Sequence, residues 1–524
     1  MLIFFLVISS VFGQEENRIH YDIRQAKNSN VHFENAIISE VKVDEYLLHP
    51  FLNSDEVFFF GNLSIDLKDN APKAISLTLP LKNKNMVLEL LEVPESFYNY
   101  YVVTSDGKDF SANREIKHYR GIVKDNKNSL VAITFYEDEI MGLVCTAEGN
   151  FNIVKDKQSG NHIFYNDRNL KEKIDFSCET KDDISVEYPS EILLQEQNNF
   201  IKQKSQETFQ AINKEVRFYV ETEYDIYQTR GSTTSVEAFI SGLFNCVALL
   251  YYKEDILTSI FCMYIWKSND PFTETNTTSL LSQFQSTRTS IIGDLGILLT
   301  FRDIGGGEAA GIDGLCNSDV KKKLSVAQLE NYFDPRVNYY SWSVFVVTHE
   351  LGHLFGSYHT HTCAWNGNNT AIDKCAGYVE NKNGTIGSCS CLSPSIPPYG
   401  TIMSYCHWQS VGIYFYDGFG PQPGNVIRNN VTNASCLQFC NSPLNYIGQT
   451  VNQAIIINAC GSINASSVTI NNGGLLKLKA KENININSAV EAKQGSKLEL
   501  ESTGGSVKIN DGFKTMEGAT FIIK

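Results

Sequence analysis

The segment His349-Glu350-Leu351-Gly352-His353-Leu354-Phe355-Gly356-Ser357-Tyr358-His359 spells H-E-x-x-H-x-x-G-x-x-H, and no other stretch of the chain restricts its shape as tightly. On an α-helix, positions 349 and 353 lie one turn apart on the same face, so both imidazoles reach one metal ion while Glu350 projects beside it. Gly356 can take a positive φ, which turns the chain off the helix and carries His359 back as a third ligand. Three neutral nitrogens with a fourth position left open describe a catalytic rather than a structural zinc site. A lone H-x-x-x-H is more often a surface or core pair. Here the glycine, the third histidine and Met403, in Gly400-Thr401-Ile402-Met403-Ser404-Tyr405, all agree with the metal reading. Upstream, Tyr340, Trp342, Val344, Phe345, Val346 and Val347 are apolar enough to bury the helix, which makes it a rigid mount.

At 524 residues the chain has room for two to four domains with real cores. Residues 1–13 form a short apolar run ending in small residues, the pattern of a secretory signal peptide, although only the amino terminus supplies its leading charge. No later stretch reads as long and apolar enough for a transmembrane helix. Thirteen cysteines, most of them between Cys316 and Cys440, fit disulfides in an oxidising compartment, so the expected location is extracellular. Cys389-Ser390-Cys391 is too tight for a zinc knuckle. The net charge of −15 argues against nucleic acid or an anionic membrane as partner.

Alternating runs such as Ala74–Leu81, 86–91 and 130–135 predict a β-rich N-terminal region over residues 14–180. Residues 181–213 are polar and read as an exposed linker. From 214 to 442 strand-like and helix-like segments alternate, which implies an α/β layer around the histidine helix. The strands fall near 216–220, 260–266 and 297–301, the helices near 234–251 and 279–293. Residues 309–316 are expected to supply the edge strand above the cleft. After Cys440 short Val/Ile/Leu alternations recur between Asn/Gly/Ser turns, the pattern of a small sandwich or short β-solenoid over 443–524. That module carries no catalytic constellation and is a candidate to bind a surface, a polymer or another protein.

The histidine motif, the Met403 segment and Arg302-Asp303-Ile304-Gly305-Gly306-Gly307-Glu308-Ala309-Ala310-Gly311-Ile312-Asp313-Gly314-Leu315-Cys316 together resemble the adamalysin/reprolysin branch of the metzincin zinc peptidases. The stretch from His359 to Asp373 is similar to bacterial secreted reprolysin-like peptidases, and the tail to C-terminal β modules of Bacteroidetes extracellular proteins. The likeness covers about residues 215–440. It departs at Thr360, where the animal members carry Asp. The resemblance implies a multidomain protein: a β-rich prodomain, an α/β metzincin catalytic domain with a long zinc-binding helix and a Met-turn, and a small all-β C-terminal module.

It further implies a latent precursor in which a prodomain cysteine meets the zinc. Cys178, in Phe176-Ser177-Cys178-Glu179-Thr180, stands at the place for such a switch; Cys145 competes but reads as a core thiol. Setting these two aside leaves eleven cysteines, an odd number, with Cys460 the candidate for the unpaired one. One catalytic Zn²⁺ is expected, held by His349, His353 and His359. Calcium is a conceivable further ion that no residue pattern supports. Glu350 is the expected general base, and Met403 packs beneath the metal. Substrate main chain is expected along Gly311, Ile312, Asp313 and Gly314, with selectivity from residues 404–410. Tyr405 is a candidate oxyanion stabiliser. Protein or peptide substrates follow, and cleavage in the polar linker is expected to release activity. The rival readings are a secreted binding protein with an idle peptidase domain, which the intact Glu350 argues against, and a zinc enzyme acting on a non-peptide ester or amide.

Overall fold

The computed structural model describes residues 17–41, 57–65, 67, 71–81, 84–156, 159–170, 177–180, 186–194, 214–330, 340–382, 385–387, 389, 394–437, 443–459, 461–480, 482–502 and 505–524. The expected signal peptide lies outside them, as do most of the expected linker and Cys391, Cys440 and Cys460.

The period-two alternation of the N-terminal region resolves into nine strands between Glu34 and Asn166 that close into a barrel. Its inward side chains, among them Phe60, Leu77, Leu79, Leu88, Leu90, Val131, Ile133 and Phe164, form a core of their own. The closed ladder leaves no free edge to attract other strands.

A second sheet has eight strands in the order Ser177–Cys178, Gly306–Ala309, Leu324–Gln328, Leu295–Thr300, Glu215–Thr222, Leu257–Ile265, Tyr101–Thr104 and Asp109–Ser111. Its central strands are parallel and apolar on both faces, so each face needs a helical layer. Alternate residues of one strand divide accordingly. Phe218 and Val220 join the core that holds the helices Thr233–Lys253 and Tyr340–Leu354, while Tyr219 joins Leu280, Leu281 and Phe284 of the helix Thr277–Thr287 on the other side.

Both edges of this sheet are occupied by strands that precede residue 180, so sheet membership crosses the boundaries expected from composition. The hairpin Tyr101–Ser111 pairs in parallel with Leu257–Ile265, and the two-residue strand Ser177–Cys178 pairs in parallel with Gly306–Ala309. The barrel itself packs on the helix Thr233–Lys253. Gly242 permits that approach, since a Cβ there would sit 2.6 Å from the Met141 sulfur. Polar bridges cross the same contact: Arg120 Nε donates to Asn245 Oδ1 at 2.8 Å, and Tyr100 Oη to Glu237 Oε1 at 3.0 Å.

Two expectations need correction. The stretch reserved as a loose linker includes Val186, Tyr188, Ile192 and Leu193, which pack with Tyr358, Trp365 and Val426 in a small apolar cluster; spaced apolar side chains, few as they are, anchor residues 186–194. And one described helix, Thr233–Lys253, is long and apolar enough to cross a membrane, although 83% of its most apolar window is buried inside the protein.

In the tail the chain cycles through three parallel four-stranded sheets, as in a short β-solenoid. Ile463, Val468, Leu476, Ile484, Val490 and Leu498 fill its interior. Asn464 donates to Asn445 at 3.1 Å and Asn485 to Asn464 at 2.9 Å, so one face carries an amide ladder. Another face turns Lys477 and Lys479 toward the Tyr101 ring, 5.7 and 5.2 Å from its centre.

Among the described residues, disulfides join Cys316 to Cys436, Cys363 to Cys389 and Cys375 to Cys406. The pairing of Cys389 disposes of a metal role for it. Cys246 and Cys262, expected in the oxidised set, are buried thiols on a core helix and a core strand.

Candidate metal centre

The helix Tyr340–Leu354 is buried along almost its whole length, as its apolar approach requires. It ends where Gly356 takes φ +103°, a conformation strained for any other residue, and the chain returns with His359. The three imidazoles then converge: His353 Nε2 lies 3.2 Å from His349 Nε2 and 3.1 Å from His359 Nε2.

Their other nitrogens decide what this convergence means. His349 Nδ1 lies 2.7 Å from the Ile402 carbonyl, and His353 Nδ1 2.8 Å from that of Ser357. Each Nδ1 therefore carries the proton, and the Nε2 lone pairs face one another with nothing to share. Burial holds these rings neutral, with His349 lowered to about 4 and His353 and His359 well below the usual imidazole range. Converging lone pairs need a cation. A tetrahedral ion with Zn–N near 2.0 Å sets its nitrogens about 3.3 Å apart, which fits the observed spacings.

Cys178 stands at the remaining corner. Its Sγ lies 3.4 Å from His353 Nε2 and 3.4 Å from Glu350 Oε2, and the four donor atoms of Cys178, His349, His353 and His359 all lie within 4.8 Å of one another. Zinc–sulfur bonds near 2.3 Å would put sulfur about 3.5 Å from each nitrogen. Burial, and then the Glu350 carboxylate, push this thiol upward, so only a neighbouring cation would make it a thiolate. Cys145, by contrast, is buried in the strand Glu139–Thr146.

Glu350 is also fully enclosed. Burial raises its carboxyl to about 8, against hydrogen bonds from Cys178 and Thr180 that lower it. Thr180 Oγ1 donates to Glu350 Oε2 at 3.1 Å and accepts from the Ala309 amide at 2.7 Å. Gly307 allows the edge strand to pass this close, since a Cβ there would fall 2.5 Å from Glu350 Oε1. The edge strand is thus Gly306–Ala309. Gly311, Ile312, Asp313 and Gly314 lie outside it in a loop, with the Asp313 and Gly314 amides donating to the carbonyls of His353 and Leu354. Backbone groups spent on a helix C-terminus are not free to form a ladder.

Met403 packs under the helix at Gly352, where a Cβ would come within 2.6 Å of its sulfur. Its carbonyl accepts from the Thr360 amide at 3.0 Å, tying the turn to the third histidine. Tyr405 places its hydroxyl on the Cys178 backbone, accepting from the amide at 3.0 Å and donating to the carbonyl at 2.9 Å. Beyond it, a cavity of about 170 Å³ is lined by Trp342, Phe345, His407 and Gln409, and by Asp167 and Leu170 of the N-terminal region.

Sequence reasoning missed Thr180, Gly307 and the two carbonyl acceptors. Only Thr180 left a signal: two residues after Cys178 on an extended segment, it must share that residue's face.

Residues 213–405 match the model of Reprolysin_5, metallo-peptidase family M12. No curated protein matches the chain. Among solved structures, metalloproteinase-II from Bacteroides fragilis is similar at 12% identity and a TM-score of 0.33, over 57% of this chain and 86% of that one. A chaperone–substrate complex is similar at 12% identity and a TM-score of 0.22, over 48% of this chain and 36% of that one. The family match ends on Tyr405 and encloses the three histidines, Glu350 and Met403, so this chain carries a reprolysin-like zinc metalloprotease domain of family M12.

Proposed function

We propose that the protein is a secreted zinc endopeptidase made as a latent precursor. Residues 1–13 act as signal peptide, 14–180 as prodomain, 181–213 as activation region, 214–442 as catalytic domain and 443–524 as an appended β module. The observation that carries this reading is the four-donor cluster of Cys178 with His349, His353 and His359, with Glu350 hydrogen-bonded at its rim. The histidines hold the metal. When bound, zinc supplies a Lewis acid that acidifies water and polarises a peptide carbonyl. Glu350 accepts a proton and passes it to the leaving amine; a carboxyl raised toward neutrality by burial suits both transfers.

Substrate main chain takes the Gly306–Ala309 edge, in place of the 311–314 segment expected from sequence. The Ser177–Cys178 strand runs parallel to that edge, whereas substrates of this family are expected antiparallel, so the prodomain lies in the cleft with its peptide bonds reversed. Cys178 fills the fourth corner, and Thr180 engages the base. Asp167 and Leu170 wall the cavity beside His407, which serves side-chain selectivity once the prodomain leaves. The hydroxyl of Tyr405, released from Cys178 at that point, becomes available to a developing oxyanion.

The test is metal analysis with a paired variant. Purified protein is expected to hold about one zinc per chain and to lose peptide hydrolysis on chelation, regaining it with zinc. Glu350→Gln is expected to keep the metal and lower turnover of the processed enzyme by a factor on the order of 10² to 10⁴. Turnover that survives complete zinc removal ends the reading.

A further inference from the structure

We propose that Glu380 is a positioning residue for the third zinc ligand, making the disulfide-stapled segment after His359 part of the metal site. The inference rests on the reading that the three histidines hold zinc. An imidazole that binds metal through Nε2 must place its Nδ1 proton on an acceptor, which fixes the tautomer and the ring's aim. His349 and His353 do this with backbone carbonyls. His359 does not: its Nδ1 is buried without a hydrogen-bond partner.

The nearby carboxylate oxygen is Oε2 of Glu380, 4.0 Å away. The same oxygen is 3.3 Å from His361 Nε2, and the His361 ring stacks on that of His359 at 4.9 Å and 15°. Glu380 thus meets a pair of nearly parallel rings from one side, with acceptor capacity for both, because an ionised carboxylate offers about four lone-pair sites.

The main chain delivers it there. The Glu380 amide donates to the His361 carbonyl at 3.0 Å, and the Glu380 carbonyl accepts from the Cys363 amide at 2.7 Å. Val379–Glu380 pairs with Ile386–Gly387, and the Cys363–Cys389 bridge ties the far side of this hairpin to the residue four places after His359. With the backbone pinned on both sides, a side-chain rotation of about 1 Å closes the gap to hydrogen-bond distance. His359, His361 and Glu380 also gather three donor atoms within 4.8 Å. A second ion there would need His359 stripped of both ring protons, which the single-acceptor arrangement avoids.

The experiment measures zinc affinity of the full chain by chelator competition, counts zinc per chain, and records the visible spectrum of the cobalt(II)-substituted protein. Glu380→Ala is expected to lose about 10- to 100-fold in zinc affinity and to shift the cobalt band. Glu380→Gln, whose amide oxygen still accepts one bond and which keeps the hairpin's shape, is expected to lose less. Lys382→Ala, which removes the hairpin's pair with Glu187, is the control expected to match the parent. Parental affinity and spectrum in both Glu380 variants would overturn the proposal and leave Glu380 as a partner of His361 alone. Two zinc ions per parent chain falling to one in Glu380→Ala would overturn it in favour of a second metal. A parent chain that binds no zinc would instead sink the reading beneath it.

Discussion

The two edges of the eight-stranded sheet are covered by the same N-terminal region in opposite ways. At one edge Ser177–Cys178 contributes only two residues, yet Cys178 meets the site directly: its Sγ donates to Glu350 and lies against His353 Nε2, and its backbone pairs with the Tyr405 hydroxyl. At the other, the hairpin Tyr101–Ser111 touches no chemistry but is continuous with a barrel that packs on the helix Thr233–Lys253. On the proposed reading, blocking and holding are separate jobs done at separate places: latency would depend on a handful of polar atoms, and retention of the N-terminal region on its barrel contact.

The comparison breaks most visibly at Cys178. If blocking resides there, Cys178→Ser in the uncleaved chain should raise peptide hydrolysis on the order of 100-fold, because a hydroxyl stays protonated near neutral pH and binds zinc far more weakly than thiolate. Cys145→Ser should leave the precursor silent. An equally silent Cys178→Ser chain would shift the block to simple occlusion of the cleft. Tyr405→Phe sharpens the point at smaller scale. It removes two hydrogen bonds to the Cys178 backbone, and at roughly 1 kcal/mol net for each it should raise precursor activity about thirtyfold relative to the processed enzyme. An unchanged ratio would show that Tyr405 does not hold the strand.

The smallest effect tests holding. Cleavage within the activation region, at residues 195–213, should release activity only once the N-terminal fragment leaves: while that fragment co-elutes with the rest, activity should stay within about twofold of the precursor, since the sheet pairings and barrel contacts of the described residues survive the nick. Denaturant that strips the fragment away should then release the activity. Prompt dissociation on nicking would refute the division of labour.

The convergence of His349, His353 and His359 was legible because coordination chemistry fixes such a spacing within one helix turn and one chain reversal. Cys178 was legible only through a family likeness, and Glu380 not at all: it reaches His359 through a hairpin whose register no local pattern announces. The edge strand was misplaced because Gly306–Ala309 lacks the β-branched residues that mark strands; its glycine is there so that Glu350 can fit. The run Tyr101-Val102-Val103-Thr104 looks like a strand, but its partner lies about 160 residues away, and pairing at that distance is decided by the assembled core. Cys246 and Cys262 were misjudged for a related reason, since burial rather than oxidation accounts for them.

The hairpin has one more consequence, for what happens after maturation. While Tyr101–Thr104 lies along Cys262–Ile265, the amides and carbonyls on that side of this stretch are satisfied. On the proposed reading, departure of the prodomain would expose them as a template at Cys262, Met263 and Ile265, the kind of edge onto which another chain adds itself. Shedding the prodomain would therefore trade inhibition for a tendency to aggregate, and an enzyme that keeps the hairpin after its switch strand has gone would stay monodisperse longer.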